Sequence, residues 1–136
     1  MVFIKGNFPS FKNSKQRTRK GFMVMSKTVQ KYLKEWEYQW KDIPEEFINL
    51  TEEDYPILVG MHFVRGTRHR WDFHNMVQGV ADLMVKHKWV PDDSMDYFIP
   101  NVLFIDDEHY SYNKENPGVF IKILKNEVCK VTNKSK

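Results

Sequence analysis

The chain has 136 residues, 41% of them hydrophobic and 15% aromatic, with a formal net charge of +3. That length and composition support one domain, 1–136, around one packed core, and exclude global disorder. Cys129 is the single cysteine, which excludes an internal disulfide and a cysteine-based zinc site and suits a reducing compartment.

In chain order, residues 2–8 carry β-formers in weak alternation and read as an opening strand. Residues 9–21 combine Pro, Ser, Asn and Gly with basic side chains and read as a flexible loop, followed by a short strand over 22–25. Ser26 can cap a helix whose apolar stripe is Val29, Leu33, Trp36, Trp40 and Ile43, at spacings of four, three, four and three. Pro44 ends or kinks it. An acidic connection follows, then the strongest strand, over 55–64, and a basic turn over 65–71. Residues 75–88 read as a second helix with Val77, Val80, Ala81 and Met84 on its apolar face. A turn over 89–96 leads into a strand over 97–105, a polar connection, a last strand over 118–124 and a polar, frayed tail from about 126 to 136. The expected fold is α+β and two-layered: a mixed or antiparallel sheet of four to five strands with two main helices packed on it.

The opening residues lack the long apolar core of a signal peptide, and the apolar run at 55–64 is broken by Gly60 and His62 and too short to cross a bilayer. A cytoplasmic protein without a membrane partner is expected. Its charges are segregated. Lys5, Lys12, Lys15, Arg17, Arg19 and Lys20 occur in a stretch with no acid, and Arg65, Arg68, His69 and Arg70 form a second cluster. Residues 35–54 hold eight acids and one lysine. Such polarity suits a protein with one face toward a polyanion, although a solvated basic loop has the same composition.

The segment from Asp72 to Asp93 brings the reading to a family. It resembles the RusA-type Holliday junction resolvases, whose motif is D-x-D-N, a helix carrying a lysine, a D-A-L-like step and a D-D pair. Asp72, His74 and Asn75 stand where that motif has D-x-D-N, Asp82-Leu83-Met84 stand at the D-A-L step, and Asp92 and Asp93 form the pair, with no gap. The early "GNFPSFKNS" resembles the family's P-P-S-x-N loop. The resemblance implies a homodimeric, metal-dependent endodeoxyribonuclease that resolves four-way junctions by paired phosphodiester hydrolysis in recombination and repair. Its essential acids map to Asp72 and Asp93. Two positions depart: His74 replaces the second motif aspartate, and Gln78 falls where the family has its catalytic lysine. A catalytically weak or inactive branched-DNA-binding protein is the alternative.

Hard divalent cations take oxygen ligands, lower the pKa of bound water and neutralise charge developing on a leaving oxygen. The resemblance therefore implies Mg²⁺ or Mn²⁺ on Asp72, Asp93 and, as a third acid, Asp92, with no small-molecule cofactor. His74 has three readings: a nitrogen ligand that favours manganese, a proton donor or cation replacing the lost lysine, or a solvated helix-start residue. Asn75 supports Asp72 or bonds the helix start, and Asp72 is itself a good N-cap. His74, Gln78 and Asp82 recur at i, i+4 and line one polar face. A helix from 75 to about 86 rises about 18 Å, and the next seven residues span at most about 23 Å. Asp93 thus reaches Asp72 within one chain only if 87–93 runs back beside the helix. DNA backbone contacts are expected from Lys12, Lys15, Arg17, Arg19, Lys20, Arg68 and Arg70, with Phe11 or Phe22 available to stack on a base.

Overall fold

The computed structural model describes residues 1–11, 15–17 and 23–124, with the backbone alone for 15–17 and 23–25. The strands are β1 (Val2–Lys5), β2 (Lys15–Arg17), β3 (Met23–Met25), β4 (Ile57–Arg65), β5 (Phe98–Val102), β6 (Ser111–Tyr112) and β7 (Gly118–Leu124). The α-helices are α1 (Lys27–Trp36), α2 (Glu45–Ile48) and α3 (Phe73–Lys86). Short 3₁₀ turns occupy Glu37–Lys41 and Glu52–Asp54.

The main sheet has five strands in the order β1-β7-β4-β5, with β6 also paired to β4. β7 runs antiparallel to β1 and β4, whereas β5 and β6 run parallel to β4. The sheet is mixed, and the fold is two-layered α+β as the pattern of elements predicts. A separate two-stranded antiparallel ladder joins β2 to β3, so the expected loop over 9–21 contains a strand at Lys15–Arg17.

β4 is the axis of the core. All nine of its residues are buried, including the two that interrupt its apolar run. Gly60 is there because Leu124 lies against it; an added Cβ would meet that side chain at 2.9 Å. His62 is held on both nitrogens, 2.9 Å from the Leu103 carbonyl and 3.0 Å from Ser111 Oγ. A carbonyl only accepts, so in the neutral ring Nδ1–H donates to Leu103 and Nε2 accepts from the serine hydroxyl. This polar pair pins β6, which lies inside the segment the sequence presents as a plain connection.

On the helical side, Ile57, Val59, Met61 and Phe63 of β4 meet Met76, Val77, Val80, Leu83 and Met84 of α3 in one cluster, with Val29 and Tyr32 of α1. The expected first helix is shorter than its stripe. α1 stops at Trp36, and Trp40 is delivered by the 3₁₀ turn that follows. Trp40 is nonetheless fully buried, because a tighter turn shifts the register of the stripe without removing it from the core. α3 begins two residues before its expected start and ends two before its expected end. Its last turn closes with Lys88 at φ 65, Lys88 N–H donating to the Val85 carbonyl and Trp89 N–H to that of Met84. This is the double hydrogen bond of a Schellman end, made here without glycine.

Phe11 is a correction. Instead of waiting for a base, it is 7% exposed, stacked on Phe8 with ring centroids 5.6 Å apart and pressed on Gly79 of α3. The phenyl ring belongs to the core because α3 offers a glycine where it crosses. Phe22, Lys12, Arg19, Lys20, Cys129 and the expected frayed tail lie outside the described residues. No helix among the described residues is long and apolar enough to cross a membrane.

Candidate functional site: a cationic cleft at the amino end of α3

Three segments converge where β4 ends and α3 begins. Asn7 Oδ1 accepts a 2.8 Å hydrogen bond from Gly66 N–H, which ties the chain leaving β1 to the turn leaving β4. Phe11 N–H donates to the Asn75 carbonyl at 3.4 Å, and Phe11 is anchored on Gly79. Pro9 and Ser10 are thereby held opposite the first turn of α3. Between them lies a cleft of about 710 Å³, lined among others by Arg65, His69, Arg70, Asp72 and Asn75. Asp72 is the one carboxylate among its lining residues.

Asp72 caps α3. Its backbone is extended and its Oδ1 accepts from His74 N–H at 2.9 Å, which satisfies one orphan donor of the helix start. Capping and ligation are compatible, since capping uses one carboxylate oxygen. His74, Gln78 and Asp82 are all exposed, as their shared polar face predicts. His74 presents its ring beside Phe73, with centroids 6.4 Å apart. Asn75 is half-buried in the cleft wall.

Asp92 and Asp93 are elsewhere. Asp92 Oδ1 accepts from Asp93 N–H at 2.8 Å, shaping an exposed turn. The Ser94 carbonyl accepts from Tyr97 and Phe98 N–H, and Phe98 pairs with Ile57 at the first residue of β4. Asp72 lines the same cleft as Arg65, the last residue of β4. Eight strand steps, about 26 Å, separate those two ends of β4, and α3 rises about 21 Å between them. The extended return that would carry Asp93 back beside the helix does not form. Trp89 and Val90 are instead buried at the carboxyl end of α3, where Trp89 Nε1–H donates to the Trp40 carbonyl at 2.7 Å. The expected ligand set of Asp72, His74, Asp92 and Asp93 is therefore not gathered within one chain. Among the described residues no three of His, Cys, Asp or Glu are grouped as metal ligands.

The cations are better placed than the acids. Arg70 lines the cleft and is exposed. Arg68 is exposed and lies over the Tyr112 ring, 3.9 Å from its centroid, a stacking geometry that leaves the edge of the guanidinium open to an acceptor. A neighbouring cavity of about 410 Å³ runs along Arg68, Arg70, Trp71, Phe73, His109 and Tyr110. Two parts of this site are not among the expected site residues. Trp71, between the basic cluster and Asp72, has ring neighbours Phe63, Phe73 and Tyr110 at 5.5, 6.4 and 5.1 Å. Arg65 belongs to the basic cluster by sequence but differs from its neighbours in being buried at the end of β4. The chain matches no family model and no curated protein sequence.

Proposed function

We propose that the protein is a metal-dependent endonuclease that resolves four-way DNA junctions as a two-fold dimer, in the manner of the RusA-type resolvases it resembles. One observation carries this reading. Two of the stretches that bear the resemblance, Pro9–Ser10 and the start of α3 with Asp72 and Asn75, are far apart in sequence and line a single cleft, with Arg70 beside them and His74 outside its lining. A phosphate backbone seats in such a cleft by charge, and base identity plays little part.

The separation of Asp72 from Asp93 shapes the proposal. If both acids serve one metal, they belong to different copies of the chain. A two-fold axis that brings the Asp93 end of one copy to the Asp72 end of the other does so twice, which gives the two sites that paired cleavage needs. The second reading is a non-catalytic protein that binds branched DNA. It is favoured by the dispersed acids and by exposed Gln78 at the position of the family's lysine.

The deciding experiment is cleavage of a synthetic four-way junction in magnesium and in manganese, with a linear duplex beside it. The proposal expects symmetric nicks in the junction alone. Asp72→Asn, whose amide still caps α3, and Asp93→Asn should each lose at least about a hundredfold in rate, the scale on which removing one charge-stabilising group from a reacting centre is felt, while still binding the junction. Mixing the two inactive variants should restore nicking, because one of the two composite sites in a mixed dimer is then intact. Binding without cleavage in either metal moves the assignment to the non-catalytic reading.

A further inference from the structure

Arg65 is a buried cation with little to hold it. It is 7% exposed at the end of β4, and its guanidinium carbon lies 5.3 Å from the centroid of the Trp71 ring. Nη1–H donates to the Phe8 carbonyl at 3.2 Å. Nε is fully buried and has no hydrogen-bond partner among the described residues. No carboxylate among the described residues forms an ion pair with it. Burial draws the guanidinium below its ordinary pKa, offset slightly by Tyr110, and no acid contributes. A desolvated charge and an unmade hydrogen bond both destabilise a fold unless something else uses them.

The position of Arg65 suggests that use. It lines the 710 Å³ cleft together with exposed Arg70 and His69, and a smaller, more enclosed cavity of about 180 Å³ with Thr67, Arg68 and Tyr112. The amino end of α3 is already occupied by the Asp72 carboxylate, so an anion entering the cleft meets the arginine and not the helix dipole. A planar fork of donors, aligned by an aromatic ring on one side and a carbonyl on the other, matches tetrahedral phosphate oxygens.

We propose that Arg65 is the phosphate receptor of this protein, seating one backbone phosphodiester of the DNA in the cleft between Pro9–Ser10 and the first turn of α3. This deepens the proposed function and rests on it for the identity of the ligand as DNA. The phosphate completes the hydrogen bonding of Arg65 and offsets its buried charge, and Arg70 and His69 hold the neighbouring phosphates from the rim. The cleft in the free protein is therefore poised by an uncompensated charge.

The test uses the full chain. Inorganic phosphate is titrated against the wild type while the side-chain Nε–H resonance of Arg65 is followed by NMR, with chloride at matched ionic strength as control. Junction binding in EDTA is then measured across a salt series for wild type, Arg65→Lys and Arg65→Met. The proposal expects phosphate, and not chloride, to shift the Arg65 resonance. It also expects Arg65→Met to bind the junction about tenfold more weakly with a salt slope smaller by about one, and Arg65→Lys to fall between. An unmoved resonance overturns the proposal, and that result stands even if Arg65→Met fails to fold. Junction binding by a folded Arg65→Met with wild-type affinity and slope overturns it too. If phosphate shifts the resonance but the wild type ignores the junction, the phosphate receptor holds and the DNA reading falls.

Discussion

The two ends of α3 are built to opposite plans. At its carboxyl end the contacts around Trp89 and Glu37 close the fold, beside an apolar-lined hollow of about 570 Å³ that includes Val85 and Pro91. Trp89 is 1% exposed and packs on Trp40 and Phe47 with centroid distances of 5.2 Å each, its indole N–H is satisfied, and Glu37 receives both Lys86 and His87 at 2.6 and 2.8 Å. At its amino end the chain leaves a cleft, one exposed carboxylate, exposed cations and a buried arginine with an unmade hydrogen bond. One helix thus carries stabilising contacts at one end and unspent polar groups at the other. Groups held in place but unsatisfied are what a ligand uses, so the amino end is where function is sought, although the Asp92–Asp93 pair lies toward the sealed end.

The comparison breaks hardest at Trp89. Trp89→Ala should destabilise the fold by about 3–5 kcal/mol, the range for losing a fully buried aromatic, as read by the urea midpoint. Junction binding measured well below the transition should be almost unchanged. If the variant keeps its stability, the carboxyl end is not the seal described here. If it stays folded and loses binding, the two ends are not independent.

Gly79→Ala tests the link between core and cleft. An added Cβ would lie 2.3 Å from Phe11 Cδ1, so Phe11 must move, and it anchors the Pro9–Ser10 wall. Overpacking of this kind costs about 1–3 kcal/mol. The variant should also bind the junction more weakly, because the wall is displaced. A stability loss with unaltered binding would separate Phe11 from the site and leave it as core alone.

Much of this was legible in the sequence. The two apolar stripes and the strong strand at 55–64 predict the layers, since burial follows period and that signal is local. Asp72 as a cap and the exposed face of His74, Gln78 and Asp82 follow from spacing alone. The unreadable parts depend on long-range placement. Phe11 looks like a free aromatic in a basic loop until Gly79, 68 positions later, is laid beneath it. Arg65 looks like one cation of a cluster until β4 is seen to bury it. The Asp72–Asn75 and Asp92–Asp93 stretches fit one motif by spacing, but a helix places them at opposite ends, and motif spacing carries no information about which way the chain turns after Lys88.

The smallest expected effect lies at the sealed end. Burial pushes the Glu37 carboxyl up, but hydrogen bonds from Lys86 and His87 outweigh it and hold the pKa below the ordinary carboxylate value. A depressed folded-state pKa means that the unfolded chain takes up the proton first as pH falls. The contribution is therefore full above the unfolded carboxylate pKa and is lost as pH drops through the lower folded value. Glu37→Gln should cost about 1 kcal/mol near neutral pH, kept small because Lys86 is largely solvated. The gap between wild type and variant should close in acid. Urea denaturation at neutral pH and again below the carboxylate range measures it. A gap that persists in acid would mean that Glu37 acts by packing and not by charge. A gap that closes would show that even at this end α3 is partly held by a charge, that of Glu37 facing Lys86 and His87, a pairing that the exposed arginines at its start do not have among the described residues.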